Sequence, residues 1–204
     1  MKTLFIEAKS NIDFIDRLKK IKIHGKVGLV TTIQHLHKLK DVQKIIPYSV
    51  IGGQVLGCDV SVAIKIKDKV DSFLYIGSGE FHPFEVALKT GKDVVSFNPF
   101  TGQVSKIIKK DVEVMKKKIK GKYLKFLAAE KIGILVSTKP GQYQLQKAIE
   151  LQKKMKKPSY IFIFNTLTEM ELENYPDIDI FVNTACSRID LKKVISLEDI
   201  HNIS

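Results

Sequence analysis

Lys26-Val27-Gly28-Leu29-Val30-Thr31-Thr32 and Lys131-Ile132-Gly133-Ile134-Leu135-Val136-Ser137-Thr138 decide the fold. Each is a short apolar run closed by hydroxyl residues, the pattern of a strand buried on both faces. Each is followed by a glutamine-bearing helix start, at Gln34 and at Gln142. Around them, apolar strands alternate with amphipathic helical stretches, which predicts a parallel α/β sheet.

Working outward, Leu4-Phe5-Ile6 is expected as a short strand, and Asn11 as the cap of a helix carrying Ile12, Ile15 and Leu18 on one face. A helix is predicted over about 33–46, stopped by Pro47, with a short strand at Val50-Ile51 before Gly52-Gly53. Phe73-Leu74-Tyr75-Ile76 is a strand ending in Gly77-Ser78-Gly79, and Val94-Val95-Ser96-Phe97 is another, ended by Asn98-Pro99. A long lysine-rich helix over about 105–130, with Val112, Met115, Ile119 and Leu127 as its inner stripe, connects two halves. In the second half a helix covers about 142–155, and Tyr160 to Phe164 is a strand. Asp179-Ile180-Phe181-Val182-Asn183 mirrors Asp71-Ser72-Phe73-Leu74-Tyr75. The expected architecture is α/β: two related parallel-sheet units with helices on both faces, spanning 1–104 and 105–204.

The 204 residues are 44% hydrophobic and 27% charged, with 12 glycines and 6 prolines, which excludes a disordered or collagen-like chain. No apolar run approaches the roughly 18 to 20 residues of a membrane helix. Glu7 and Lys9 come too soon for a signal-peptide apolar region, so a cytoplasmic protein without a membrane partner is expected. The two cysteines, Cys58 and Cys186, make no disulfide framework and fall short of a self-sufficient four-cysteine metal site. The net charge of +12 rests almost wholly on lysine, Arg17 and Arg188 being the two arginines. A solvated lysine surface accounts for it; steering of an acidic protein or non-specific RNA binding are the other readings. No aromatic-plus-basic motif supports specific nucleic-acid recognition.

Ligands of open parallel sheets bind beyond the carboxyl ends of the strands. Thr31-Thr32, Gly77-Ser78-Gly79, Ser137-Thr138 and Thr184-Ala185-Cys186 stand at such ends. No GxxxxGK[ST] loop exists, and Gly77-Ser78-Gly79 lacks the third glycine of a dinucleotide fingerprint. Cys58 lies in the glycine-dense Gly52-Gly53-Gln54-Val55-Leu56-Gly57-Cys58-Asp59, read as an irregular exposed loop. Cys186 stands just past a buried-type strand. Two such thiols suit an iron–sulfur cluster, or zinc with ligands from elsewhere, although two unrelated cysteines would look the same. Arg188, in a chain that otherwise uses lysine, suits a carboxylate-gripping fork or an ordinary surface position. His82 is read as a proton carrier, a polar ligand contact or a helix cap, and His35 with His37 is not read as a metal site.

In series, these segments resemble the radical diphthamide synthase family. The likeness runs through Thr3–Ala8, Val27–Gln34, Gly53-Gln54-Val55-Leu56-Gly57-Cys58-Asp59, Leu74–His82, Asn98-Pro99-Phe100 and Val182-Asn183-Thr184-Ala185-Cys186-Ser187-Arg188. The resemblance implies transfer of a 3-amino-3-carboxypropyl group from S-adenosylmethionine to a histidine of translation elongation factor 2, the first step of diphthamide formation. It implies a 4Fe-4S cluster held by three cysteines, one per domain, whose open iron engages the sulfonium ligand and whose electron cleaves the sulfur–carbon bond. It implies that Cys58 and Cys186 are cluster ligands. Arg188 would pair with the methionine carboxylate, and Thr32, Gln34, Gly77, Gly79 and His82 would line the same site. The family has three α/β domains, and this chain is similar to the second and third. A partner chain is therefore expected to supply the missing domain and third cysteine, in a split enzyme or a homo- or hetero-oligomer; a sequence that is a fragment of a longer protein would lack them in the same way. A non-catalytic scaffold subunit of the same pathway is the alternative. Ser187 and Ser78 depart from the proline and the acid common at those places.

Overall fold

A strand whose every side chain is buried must be covered on both faces, and β1 (Val27–Thr31) is such a strand. A computed structural model of the chain describes Ile6, residues 8–186 and residues 189–203. Two compact units emerge, Met1–Val114 and Met115–Ser204. The boundary lies ten residues beyond the one expected, because Val112 belongs to the first unit's core.

In the first unit, β1 is flanked by β2 (Ser49–Gln54) and β3 (Ser72–Ile76), followed by β4 (Val94–Phe97) and an antiparallel edge strand β5 (Val104–Ile107), in the order β2-β1-β3-β4-β5. The first four strands are mutually parallel. The helices are α1 (Ile15–Leu18), a 3-10 turn Ile33–Lys38 running into α2 (Leu39–Ile45), α3 (Ser61–Ile64) and α4 (Phe81–Thr90). Side chains alternate by strand period. Phe73 and Tyr75 face a core completed by Ala63, Val86, Ala87 and Val112. Leu74 and Ile76 face Leu18, Leu39, Val42 and Phe97 on the other side. Each such buried side chain contributes about 2 kcal/mol of transfer free energy.

The helix α5 (Lys109–Ala128) gives Val112 to the first core and Tyr123 and Phe126 to the second. The second unit holds β6 (Ile132–Ser137), β7 (Ser159–Phe164), β8 (Ile180–Asn183) and β9 (Val194–Ser196), all parallel, in the order β7-β6-β8-β9. Its helices are α6 (Leu145–Lys154), α7 (Glu169–Glu173) and α8 (Leu197–Ile203). Ile180 and Val182 face a core with Ala148 and Ile200, and Phe181 faces the other with Leu172. Among the described residues, no helix is long and apolar enough to cross a membrane.

Both units use one plan: the first strand lies between the second and third, and the fourth follows. Two details repeat residue by residue. Gly28 pairs with Phe73, and Gly133 with Phe181. A Cβ on Gly28 would meet the Phe73 ring at 2.6 Å, and one on Gly133 would run into the Phe181 ring. At the entry to the third strand, Asp71 Oδ2 accepts the main-chain N–H of Lys26 at 2.8 Å. Asp179 Oδ2 accepts those of Glu130 and Lys131 at 2.8 and 2.9 Å.

Several expectations need correction. Leu4 and Phe5 of the first expected strand lie outside the described residues. Asn11 caps no helix: α1 is one turn, and Asp13 Oδ1 accepts the N–H of Ile15 at 3.2 Å. The strand expected to stop before Gly52-Gly53 runs through both, with a register shift opposite Leu29/Val30 and Gly53 at φ +115°. Only glycine takes that conformation freely. The long helix starts four residues late because β5 occupies 104–107, paired antiparallel with β4. Leu127 is 52% exposed and leaves the inner stripe to Tyr123 and Phe126. The later helix begins at Leu145 rather than 142.

Two outcomes follow from the repeated details. Gly133→Ala is expected to destabilise the chain by about 1–3 kcal/mol through overpacking, and Phe181→Leu in the same chain to recover part of the loss, measured by urea unfolding. The Asp179 carboxyl is held below the usual carboxylate range, first by the N–H of Lys131 and then by that of Glu130. A carboxyl with a depressed folded-state pKa stabilises the fold above its unfolded value and loses that contribution as pH falls through the folded value. The thermal midpoint of Asp179→Ala should therefore lie furthest below wild type above about pH 5 and converge towards it below about pH 4. A gap that does not change with pH contradicts this role.

Candidate functional site

Three adjacent strand ends of the first unit are tied in a row. The N–H of Val55, just past β2, donates to the Thr31 carbonyl at 2.8 Å. The buried Thr31 hydroxyl, at the end of β1, donates to the Ile76 carbonyl at 2.6 Å, at the end of β3. The sequence-expected site residues of this unit leave from this row. Thr32 precedes the 3-10 turn and its hydroxyl donates to Gln34 Oε1 at 3.1 Å, so these two meet each other. Gln34 in turn accepts the N–H of Ser10 on its carbonyl at 2.9 Å.

Past β2, the glycine-dense segment is half strand and half turn. Leu56 and Asp59 exchange main-chain hydrogen bonds of 3.1 and 2.9 Å, closing a four-residue turn around Gly57, at φ +58°, and Cys58. The Cys58 side chain is half-buried, and its carbonyl accepts Lys89 Nζ from α4 at 3.5 Å. Asp59 Oδ1 accepts the N–H of Ser61 at 2.9 Å. That bond is the main reason its carboxyl lies below the usual range, with the Ser61 hydroxyl next and the charges of Lys89 and Lys65 adding.

Past β3, the chain must cross the top of a buried tyrosine. A Cβ on Gly77 would collide with the Tyr75 hydroxyl, which explains a glycine there. That hydroxyl donates to the Ser78 carbonyl at 3.3 Å and lies 3.4 Å from His82 Nδ1. The His82 ring stacks over Tyr75 at 5.9 Å and meets Phe81 edge-on. His82 is therefore held inside the first turn of α4 and does not cap it. Gly79, at φ +77°, has open space where a side chain would stand. Gly77, Gly79 and His82 thus form one group around Tyr75, a residue that sequence reading placed only in the strand. A polar tip at the end of an apolar strand, two residues beyond the phenylalanine packed on glycine, is the signal that could have found it.

In the second unit, Thr184 donates its hydroxyl to the Leu135 carbonyl at 2.8 Å, tying β8 to β6. The carboxamide of Asn183, buried at the end of β8, accepts the N–H of Ala185 at 2.9 Å and donates to the Cys186 carbonyl at 2.7 Å. A buried amide costs free energy unless bonded, and here both of its ends are. Cys186 is half-buried. Ser187 and Arg188 lie outside the described residues. By strand register Cys186 occupies the place of Ser78, whereas Cys58 follows the second strand of its unit. The two cysteines are therefore not repeat equivalents.

Neither cysteine is in a disulfide. Among the described residues no group of three or more His, Cys, Asp or Glu side chains is placed to hold a metal ion. The donor chemistry nevertheless fits part of an iron–sulfur cluster: two soft, half-buried thiols, each on a turn at a strand carboxyl end. His35 packs edge-on against Phe14 and Phe100, with no partner for either ring nitrogen among the described residues, and burial pushes its pKa down. A cavity of about 670 Å³ in the second unit, lined by Lys125, Leu172, Asp179, Ile180 and Lys193, opens at the start of β8, the end of that strand remote from Cys186.

Comparison with known proteins gives a consistent answer. A model of the diphthamide synthesis protein family matches residues 1–195. The chain is 33% identical to the 2-(3-amino-3-carboxypropyl)histidine synthase of Pyrococcus horikoshii, over 93% of its own length and 59% of the relative's. It is 30% identical to the enzyme of that name from Methanocaldococcus jannaschii, over 96% of its own length and 58% of the relative's. The crystal structure of Dph2 from Pyrococcus horikoshii with a 4Fe-4S cluster superposes with a TM-score of 0.77 at 29% identity, covering 96% of this chain and 63% of that one. The chain thus spans about three fifths of the length of the curated relatives it matches. On its motifs, its sheet order and these matches, the chain belongs to the diphthamide synthesis protein family.

Proposed function

We propose that this chain takes part in the first step of diphthamide formation, as one subunit of an enzyme that transfers a 3-amino-3-carboxypropyl group from S-adenosylmethionine to a histidine of translation elongation factor 2. The observation that carries the reading is the placement of Cys58 and Cys186, each on a turn at the carboxyl end of a parallel strand and each half-buried. In that reading each unit contributes one thiolate to a 4Fe-4S cluster. This reading assigns the third ligand to another chain of a hetero- or homo-oligomer. The bound cluster would supply one electron and an open iron for the sulfonium of the substrate.

This chain's own residues do the rest. Gly79 leaves open space where a side chain would stand, so a ligand can approach the main chain there, and Gly77, whose N–H is bonded to the Phe97 carbonyl at 3.0 Å, lets the turn pass over the Tyr75 hydroxyl. His82, fixed by Tyr75 and Phe81, presents a ring nitrogen beside that turn. Thr32 and Gln34, bonded to each other, add a hydroxyl and a carboxamide at the neighbouring strand end. Arg188 is assigned the methionine carboxylate, which a planar guanidinium grips better than an ammonium does. The excess of lysine favours encounter with an acidic protein substrate. A cytoplasmic site of action follows from that substrate.

The alternative is a non-catalytic scaffold subunit of the same pathway, which docks a catalytic partner or the elongation factor. The two readings separate in a transfer assay. Elongation factor 2, labelled S-adenosylmethionine, a reductant and this chain are incubated anaerobically with and without a second chain carrying the missing cysteine-bearing domain. The enzyme reading expects label on the factor only in the complete mixture, and its loss with Cys58→Ala or Cys186→Ala. Stable association with the second chain or the factor, with transfer indifferent to both substitutions, is the scaffold outcome and overturns the enzyme reading.

A further inference from the structure

The repeat offers a comparison within one molecule. Gly28 faces Phe73 and Gly133 faces Phe181, so Tyr75 and Asn183 hold the same place, two residues further along the third strand of each unit. Both send a side-chain donor forward to the main-chain carbonyl three residues on. The Tyr75 hydroxyl reaches Ser78 at 3.3 Å, and Asn183 Nδ2 reaches Cys186 at 2.7 Å. The two tips differ in what they hold. Tyr75 spans a glycine-flanked turn without a thiol, whereas Asn183 spans the turn that bears one.

Asn183 also does more than Tyr75. Its Oδ1 accepts the N–H of Ala185 at 2.9 Å, so one rigid carboxamide grips the turn at two points. The Cys186 carbonyl receives a second donor, the N–H of Ile189, at 3.1 Å. A carbonyl oxygen has two lone pairs, and here both are engaged. The Cys186 carbonyl is thereby held in direction, beside the Cα that carries the thiol. Asn183 is 2% exposed, so its carboxamide makes these bonds inside the protein. Asn183 lies on the face of β8 that carries Phe181, where an apolar side chain would pack at no desolvation cost. A carboxamide at that place serves the turn rather than the core.

We propose that Asn183 is the positioning residue of the Cys186 thiolate, its carboxamide clamping the turn so that Sγ leaves the end of β8 in one direction ready for metal. The inference rests on the reading of Cys186 as a metal ligand. Orientation of a ligand by a hydrogen-bonded neighbour is how such sites hold their geometry before the metal arrives.

The test uses the full chain and two readouts. The first is the rate of iodoacetamide alkylation at Cys186 relative to Cys58 in the same molecules, resolved by peptide mass spectrometry. The second is the thiolate charge-transfer absorption of added cobalt(II). The variants are Asn183→Ala, Asn183→Asp and, as a control of the same turn's entry, Thr184→Val, which removes only the bond to the Leu135 carbonyl. With the two clamping bonds gone, Asn183→Ala should raise the Cys186-to-Cys58 ratio about tenfold. Asn183→Asp keeps the acceptor for Ala185 and loses the donor to Cys186, so its ratio should fall between. Thr184→Val should lower the thermal midpoint and leave the ratio unchanged. The cobalt band should shift or weaken in Asn183→Ala and persist in Thr184→Val. An unchanged ratio in Asn183→Ala, or an equal rise in Thr184→Val, overturns the inference. Alkylation needs no metal, so a wild-type chain without a cobalt band counts against the ligand reading alone and leaves the ratio to decide the clamp.

Discussion

In each unit a phenylalanine ring lies against a glycine on the neighbouring strand, Phe73 on Gly28 and Phe181 on Gly133. No other residue fits at the glycine without displacing the ring, so the contact pins the register of the first and third strands. Everything at the carboxyl ends depends on that register. It sets the ends of β1 and β3 level, so that the Thr31 hydroxyl reaches the Ile76 carbonyl, and it lets Thr184 reach Leu135 in the second unit. At the opposite ends of the same strands, Asp71 and Asp179 take the incoming N–H groups. A slip by one residue would turn Phe73 and Phe181 to the wrong faces and break both sets of bonds.

Duplication of this plan does not duplicate the chemistry. One thiol follows a second strand and the other a third, and the place of Cys186 is filled by Ser78 in the first unit. The units therefore share the order of their four parallel strands and differ in the loops beyond the strand ends. This is the expected division of labour in α/β proteins, where the strands supply rigidity and the loops beyond their carboxyl ends supply function.

The sheets were legible because strands buried on both faces read as continuous apolar runs, as Ile132 to Val136 does. The motifs at the strand ends were legible as a family likeness in series, and the family matches bear that likeness out. What was hidden falls into two kinds. Short elements such as α3, β5 and β9 carry too few residues for a period to show, and Leu127 has the spacing of an inner residue without a core to meet. The supports of the site, Tyr75 and Asn183, were hidden for another reason. Their roles lie in a hydrogen bond three residues ahead, which exists only once the strand has ended and the chain has turned back. The continuation of β2 through Gly52-Gly53 was not legible because a bulge tolerates the very residues that usually end a strand.

The central claim is that the two thiols of this chain hold iron. It is tested most directly by anaerobic reconstitution of the chain with iron and sulfide, with an external thiol in place of the third ligand. Visible absorption and the electron paramagnetic resonance of the reduced sample are then compared for wild type, Cys58→Ala, Cys186→Ala and the double variant. The account predicts a cluster spectrum in the wild type that is weakened by either single substitution and absent from the double variant. A spectrum of equal strength in all four proteins would contradict it.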